Sequence, residues 1–427
     1  MLTRRDILHH GLRAGAIAAL RASSAHALAG WQASPRQKTV PDEMTLNTSQ
    51  QQQHYPPPDF GPLPEELPAE TKALAGKASL KAHAHRRGLI AGAAVVVRAL
   101  GQDKVLDELI ADQYGILVPE SELKWVALRP SQDRFDFTLS DTLFEFAQRR
   151  RMLVRGHTLV WHNSVPKWLA QGAASLDVRQ LLVQHIDTVV GRYRGRVHSW
   201  DVVNEAILPK DGQADGLRKS FWFDSIGPDY IDLAYRTARA ADPKARLTYN
   251  DYGVETDSAE DTERRKAILA LLRSMQQKKV PLDAVGIQGH IKAASQNRIG
   301  SDLREYIATI QAMGLEVYLT ELDVNEDDIA SDDVSIRDAA VAETYRTFLE
   351  VALANPAVKM VLTWGVSDRR TWLNDGPTHH RRQPNRPQRS LLFDPQYRPA
   401  PAFFAIRDSL DFARKRTPTT QGRLAAA

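Results

Sequence analysis

The chain has 427 residues, 43% hydrophobic and 25% charged, enough to bury a large core and to form one α/β barrel of roughly 250 residues or more. Of the formal charge of +4, residues 1–30 hold +3 (Arg4, Arg5, Arg13 and Arg21 against Asp6); the +1 left on the remainder gives no support for a nucleic-acid partner. There is no cysteine, which excludes disulfides and thiolate metal sites.

Residues 1–29 read as an export signal. Thr3-Arg4-Arg5-Asp6-Ile7-Leu8 resembles a twin-arginine motif, Gly15 to Leu20 is a short, weakly apolar segment, and Ala25-His26-Ala27 or Ala27-Leu28-Ala29 offers small residues for cleavage. A basic amphipathic helix is the competing reading. No run approaches the ~20 apolar residues that span a bilayer, so the expectation is an exported protein, periplasmic or extracellular, without a membrane anchor. From residue 30 to 75 the composition turns to Gln, Pro and Ser, with Gln50–Gln53 and Pro56–Pro58 as extremes. Such a stretch has too few large apolar groups to offset the entropy of ordering, so it is expected to be a linker or loosely attached arm, and residues 414–427 a similar tail.

Between them, residues 76–413 are expected to fold as one domain. Eight apolar runs follow in order: Leu89–Val97, Gly115–Pro119, Leu153–Trp161, Val197–Asn204, Arg246–Asn250, Ala284–His290, Glu316–Val324 and Lys359–Val366. Their near-continuous Val, Ile and Leu usage suits strands buried on both faces of a parallel sheet. Helical patterns alternate with them. Leu182, Ile186, Val189, Val190 and Tyr193, closed by Gly195, have the three-and-four spacing of an amphipathic helix, as do Ile231, Ala234, Tyr235 and Ala238, stopped by Pro243. Eight β-then-α units predict a single (β/α)8 TIM barrel, whose active site lies at the C-terminal ends of its strands.

Those ends carry polar and aromatic groups that packing alone does not require: Glu120, Lys124 and Trp125 after the second run, His157, Trp161 and His162 in the third, Asn204-Glu205 in the fourth. The fifth delivers Asn250-Asp251, the sixth Gln288 and His290, the seventh Glu321 and Asp323, the eighth Trp364. Glu205 and Glu321 each close an apolar, β-branched run. Two such carboxylates are the minimum for retaining glycoside hydrolysis, one protonating the leaving oxygen and one attacking the anomeric carbon.

Six segments resemble family 10 glycoside hydrolases, chiefly endo-β-1,4-xylanases: Gly156-His157-Thr158-Leu159-Val160-Trp161-His162, Trp200-Asp201-Val202-Val203-Asn204-Glu205, Tyr249-Asn250-Asp251-Tyr252, Gly286-Ile287-Gln288-Gly289-His290, Thr320-Glu321-Leu322-Asp323 and Thr363-Trp364-Gly365-Val366. The resemblance runs from about Ser79 to Ala413. It implies hydrolysis of β-1,4-linked xylan with no cofactor and no metal; the chain is expected to act as a monomer. Glu205 matches the acid/base and Glu321 the nucleophile, in a site that sets the carboxyl groups about 5 to 5.5 Å apart; at that separation one proton is expected to stay on the pair near neutral pH. Asn204 matches the residue that binds the sugar 2-hydroxyl, Glu120, Lys124 and His157 match hydroxyl binders, and Trp161, Trp364 and Trp372 match the walls of the glycone side. Gln288 and His290 match the residues that hold the two glutamates, with Asp323 orienting His290 and Asn250 in support. A neutral His290 is expected, with the carboxylate partner fixing which nitrogen faces the nucleophile.

One departure stands out. Where the family commonly has Glu-Asn-x-x-Lys-Trp, this chain has Glu120-Ser121-Glu122-Leu123-Lys124-Trp125, so a hydrogen bond to the second glycone sugar is expected to be lost or passed through water. Trp31, Trp168 and Trp222 are assigned no role. Glu326-Asp327-Asp328 with Asp332-Asp333 lacks the spacing of a calcium loop and reads as a solvated loop. His379-His380-Arg381-Arg382 follows the eighth run as a rim loop, a candidate contact for anionic xylan side groups. A β-glucan-active enzyme of this architecture and a catalytically silent carbohydrate-binding barrel remain as alternatives.

Overall fold

The computed structural model describes residues 58–374 and 385–416. The expected signal, most of the Gln/Pro-rich arm, the His379–Arg382 loop and most of the tail lie outside the described residues.

Ten strands are present among the described residues: β1 (Ile90–Val95), β2 (Ile116–Pro119), β3 (Leu153–Gly156), β4 (Val160–Trp161), β5 (Ser199–Asn204), β6 (Arg246–Asp251), β7 (Ala284–Ile287), β8 (His290–Lys292), β9 (Glu316–Asn325) and β10 (Val358–Thr363). Eight of them close a parallel ring in the order β1-β2-β3-β5-β6-β7-β9-β10, with β10 paired back onto β1. A helix follows each, from Lys104–Gln113 after β1 to Pro401–Phe412 after β10. The helix Val178–Arg192 buries Leu181, Leu182, His185, Ile186, Val189 and Val190 on one face and is capped by Asp177, which accepts from the Gln180 N–H at 2.9 Å.

Two of the predicted strands are broken, and both breaks fall beside the candidate site. The run Leu153–Trp161 divides into β3 and β4 around His157 and Thr158. There Thr158 Oγ1 and the Leu159 N–H both donate to the Asp201 carbonyl. The run Ala284–His290 divides into β7 and β8 because Gly289 takes φ 78°, a left-handed conformation that ends the ladder and suits glycine. β8 then pairs with the far end of β9, His290 opposite Asp323. Glu321 therefore lies inside a ten-residue strand and not at its end.

Alternation along the strands separates two cores. Ala94, Ile116, Val118, Ala284, Tyr318, Met360, Leu362 and Trp364 point into the barrel. Their odd neighbours, such as Leu117, Val317 and Val361, pack outward against the helices. These side chains fill the interior between the strands.

Both ends of the domain extend beyond the boundaries expected from composition. Leu67 and Leu74 are buried, Thr71 Oγ1 donates to the Tyr397 carbonyl at 2.7 Å, and the Arg369 guanidinium donates to the carbonyls of Gly61 and Pro62. In the expected tail, Arg416 is buried and donates to the carbonyls of Val358, Leu353 and Asn355. Backbone carbonyls, which composition does not display, hold these segments. Among the described residues no helix is long and apolar enough to cross a membrane.

Candidate active site

Glu205 is the first residue after β5 and has φ 57°, rare for a residue with a side chain. Its N–H donates to the Asn250 carbonyl at 2.9 Å. The carboxylate gathers neutral donors: Trp161 Nε1 reaches Oε2 at 2.8 Å, while Asn204 Nδ2 and Gln288 Nε2 both reach Oε1 at 3.0 Å. His162 Nδ1 stands 3.7 Å from Oε2. Burial, reinforced by the Arg218 charge, holds His162 down at about 4, so it is uncharged at neutral pH.

Glu321 is more deeply buried, its side chain 6% exposed against 12% for Glu205. Asn250 Nδ2 donates to Oε1 at 2.7 Å, and His290 Nε2 faces Oε2 at 3.3 Å. Burial pushes this carboxyl up, but the His290 hydrogen bond, the nearby His157 and the Asn250 donor outweigh it and hold Glu321 down at about 2.

His290 departs from the neutral form expected. Its Nδ1 meets Asp323 Oδ1 at 2.8 Å while Nε2 meets Glu321, so both nitrogens face carboxylates and both must donate. Burial acts to lower its pKa, yet Asp323 and Glu321 together raise it well above the ordinary histidine value. Both contacts favour the protonated ring. Trp372 Nε1 occupies the other Asp323 oxygen at 2.6 Å.

The two corners are joined through amides. Asn250 Nδ2 also donates to Asn204 Oδ1 at 2.8 Å, and Thr320 Oγ1 fixes the Asn250 orientation by donating to its Oδ1 at 2.7 Å. Gly286 makes room for this amide, since a Cβ there would lie 2.1 Å from Asn250 Oδ1. Asn204, Asn250 and Gln288 thus run between the glutamates as one hydrogen-bonded line.

Around this centre Lys124 Nζ sits 4.5 Å from the Trp161 ring centre and 5.9 Å from that of Trp364. Burial lowers the Lys124 pKa, with the charges of Glu321, Glu120 and Glu205 opposing. Trp364 lies edge-on to His157 at 5.2 Å and Trp372 edge-on to His290 at 5.3 Å. Ser121 is exposed, and its N–H donates to Glu122 Oε2 at 3.2 Å. Trp168 and Trp222 serve structure: their indole N–H groups donate to the carbonyls of Arg129 and Trp161.

Three further residues organise the site from outside. Arg155 and Asp201, both buried, pair across adjacent strands, and Arg155 Nη1 also donates to Ser199 Oγ at 2.9 Å. The second Asp201 oxygen accepts from His157 Nδ1 at 3.0 Å. The sequence does show one charge inside each of two neighbouring apolar runs, Arg155 and Asp201, and the strand pairing sets Arg155 opposite Ser199 with Asp201 two residues on. The third is Arg218, whose Nε donates to the Glu205 carbonyl at 2.9 Å. It stands in a loop of mixed composition, and nothing in the sequence marks it.

The acidic stretch after β9 is not a solvated loop throughout. Glu326 is fully buried, gripped by Arg337 and by Arg386 Nη2 at 3.2 Å. Asp332 pairs with Arg386 at 3.0 Å, and Asp333 caps the helix Val334–Leu353 by accepting from the Ser335 N–H. Arg337 lies eleven residues beyond Glu326 on the next helix, and Arg386 comes from a distant segment.

Residues 79–409 match the model of glycosyl hydrolase family 10. The chain is 34% identical over 305 residues to endo-1,4-beta-xylanase B of Thermotoga neapolitana, covering 71% of this chain and 83% of that one. It is 34% identical over 307 residues to a beta-1,4-xylanase of Dictyoglomus thermophilum, with 70% and 83% covered. Among solved structures, xylanase 10B of Thermotoga maritima superposes with a TM-score of 0.68 at 32% identity, covering 78% of this chain and 98% of that one. Xylanase 10B of Thermotoga petrophila RKU-1, solved with xylobiose, gives the same TM-score and identity over 78% and 97%. With the motifs, the closed parallel barrel and these relatives in agreement, the chain belongs to glycosyl hydrolase family 10.

Proposed function

We propose that this chain is a retaining endo-1,4-β-xylanase in which Glu321 is the nucleophile and Glu205 the acid/base. The supporting observation is the asymmetry of the two carboxylates. Glu321 faces the His290 imidazolium and is held at about 2, whereas Glu205 receives only amide and indole donors.

In the first step Glu321 attacks the anomeric carbon while Glu205 gives its proton to the departing oxygen, breaking the glycosidic bond and forming a glycosyl ester. Glu205, now ionised, takes a proton from water as that water attacks the same carbon and releases Glu321. Two inversions give net retention. Asn204 binds the 2-hydroxyl as oxocarbenium character develops, Lys124, His157 and Glu120 bind glycone hydroxyls, and the indoles of Trp161, Trp364 and Trp372 wall the apolar faces of the sugar. Xylose lacks a hydroxymethyl group, so bulky indoles beside the cut favour it over a hexose. The twin-arginine-like leader supports export, and the enzyme acts as a monomer on polymer outside the cytoplasm.

Incubation with xylan and with carboxymethylcellulose, followed by reducing-sugar assay and NMR of the newly formed anomer, tests this reading. Release from xylan alone with the β-anomer first is expected. Release from carboxymethylcellulose alone, or inversion, overturns it.

A further inference from the structure

The acid/base corner depends on a backbone conformation that Glu205 does not adopt readily. A left-handed φ in a residue with a Cβ persists only when surrounding contacts determine it. On one side, the Glu205 N–H is tied to the Asn250 carbonyl on β6. On the other side, its carbonyl accepts from Arg218 Nε at 2.9 Å. Arg218 is itself fixed at two further points. Its own N–H donates to the Ala206 carbonyl at 2.7 Å, where Ile207 and Leu217 bridge and turn residues 206–218 back on themselves. Its Nη2 donates to the Tyr252 hydroxyl at 3.1 Å, and the Arg264 guanidinium lies 4.4 Å from the Tyr252 ring centre. Arg264 is anchored in turn by the Ile207 carbonyl at 3.1 Å.

The geometry points to Arg218 as a positioning residue that clamps Glu205 in its left-handed conformation and so aims the acid/base carboxyl. Without the Nε donor, the peptide after Glu205 loses its partner and the residue relaxes toward ordinary φ. That turn swings the carboxyl away from Trp161, Asn204 and Gln288. Glu321 lies within a regular strand, its N–H on the Gln288 carbonyl at 2.8 Å, and does not share the clamp. The consequence is selective: proton transfer suffers and nucleophilic attack does not.

This inference rests on Glu205 as the acid/base, and the test separates the two. Arg218→Met and Arg218→Lys are compared with wild type and with Glu205→Ala, all checked for folding by circular dichroism. The substrates are xylotetraose, whose leaving alcohol needs a proton, and 2,4-dinitrophenyl xylobioside, whose leaving group does not. Loss of a charged hydrogen bond predicts a fall in kcat/KM on xylotetraose of about 10- to 100-fold for Arg218→Met. On the aryl substrate kcat/KM should stay within about threefold, because its leaving group departs without general-acid help. Azide, which replaces base-activated water, should raise kcat of Arg218→Met on the aryl substrate and leave wild type unchanged. Arg218→Lys keeps the charge and one donor, should recover part of the loss, and carries the comparison if the methionine variant does not fold. Equal losses on both substrates with no azide effect, while Glu205→Ala shows the split, overturn the clamp alone. Absence of the split in Glu205→Ala overturns the acid/base assignment.

Discussion

The two carboxylates at the mouth of this barrel are held by opposite means. Glu321 sits within β9 with a positive ring at one oxygen and an amide at the other, and the charge of His290 is itself fixed by Asp323. Glu205 sits just beyond β5 in a left-handed turn, with three neutral donors and a backbone clamp. A nucleophile needs a permanent charge, which a charged partner supplies. An acid/base must change charge twice in each cycle, and a cation in contact would oppose reprotonation. Neutral donors allow both states.

The largest loss is expected at the nucleophile. Glu321→Gln should lower xylan hydrolysis on the order of 10⁵-fold or more, the scale of losing a covalent nucleophile, and azide should not restore retained product. Near-normal turnover in that variant would invert the assignment. Glu205→Ala should lower kcat/KM on xylan by about 10²- to 10⁴-fold, the contribution of a general acid. An aryl xyloside should show a much smaller loss, and equal losses would argue against the division of labour.

Asp323→Asn sharpens the contrast without touching either glutamate. Asp323 is the leading influence that raises His290, opposing burial. Removing its charge lowers the histidine pKa, so the imidazolium is lost at lower pH and the alkaline limb of kcat/KM should move toward acid. With one charged hydrogen bond weakened, a loss of roughly 10-fold or more at neutral pH is expected. An unmoved alkaline limb would mean that His290 donates to Glu321 as a neutral ring. The smallest effect is expected outside both corners. Ser121→Asn should restore one neutral hydrogen bond to the second glycone sugar, worth about 0.5 to 1.5 kcal/mol, or roughly a two- to twelve-fold gain in kcat/KM on xylotriose. An aryl xyloside that never reaches this subsite should hardly change. An unchanged or reduced value on xylotriose would show that a neighbour or water already replaces the amide.

How these residues could be read from the sequence follows from how each is specified. The barrel was legible because strand and helix periods are local: apolar runs and three-and-four spacing recur every few residues whatever the chain does elsewhere. Residue types at strand ends were legible for the same reason, since a polar group closing an apolar run needs only its neighbours to be noticed. Asn250 was visible as a strand-end amide. Its sharing between Asn204 and Glu321, 46 and 71 residues away, was not. Arg155 and Asp201 lie in different apolar runs, and only the pairing of β3 with β5 brings their side chains together, Arg155 opposite Ser199 and Asp201 two residues on. Glu326 looked solvated because Arg337 and Arg386 reach it only in the fold.

The sequence, through its apolar runs and periodic spacing, determined the alternation of strands and helices, its order, and the residue types carried near the strand ends. Tertiary structure alone decided what those groups are chemically. The charge on His290 comes from two carboxylates meeting one ring, the ionisation of Glu321 from donors that outweigh burial, and the aim of Glu205 from bonds to β6 and Arg218. Charge and hydrogen-bond energies depend on distance in space and on the exclusion of water, and neither exists until strands far apart in the chain lie side by side.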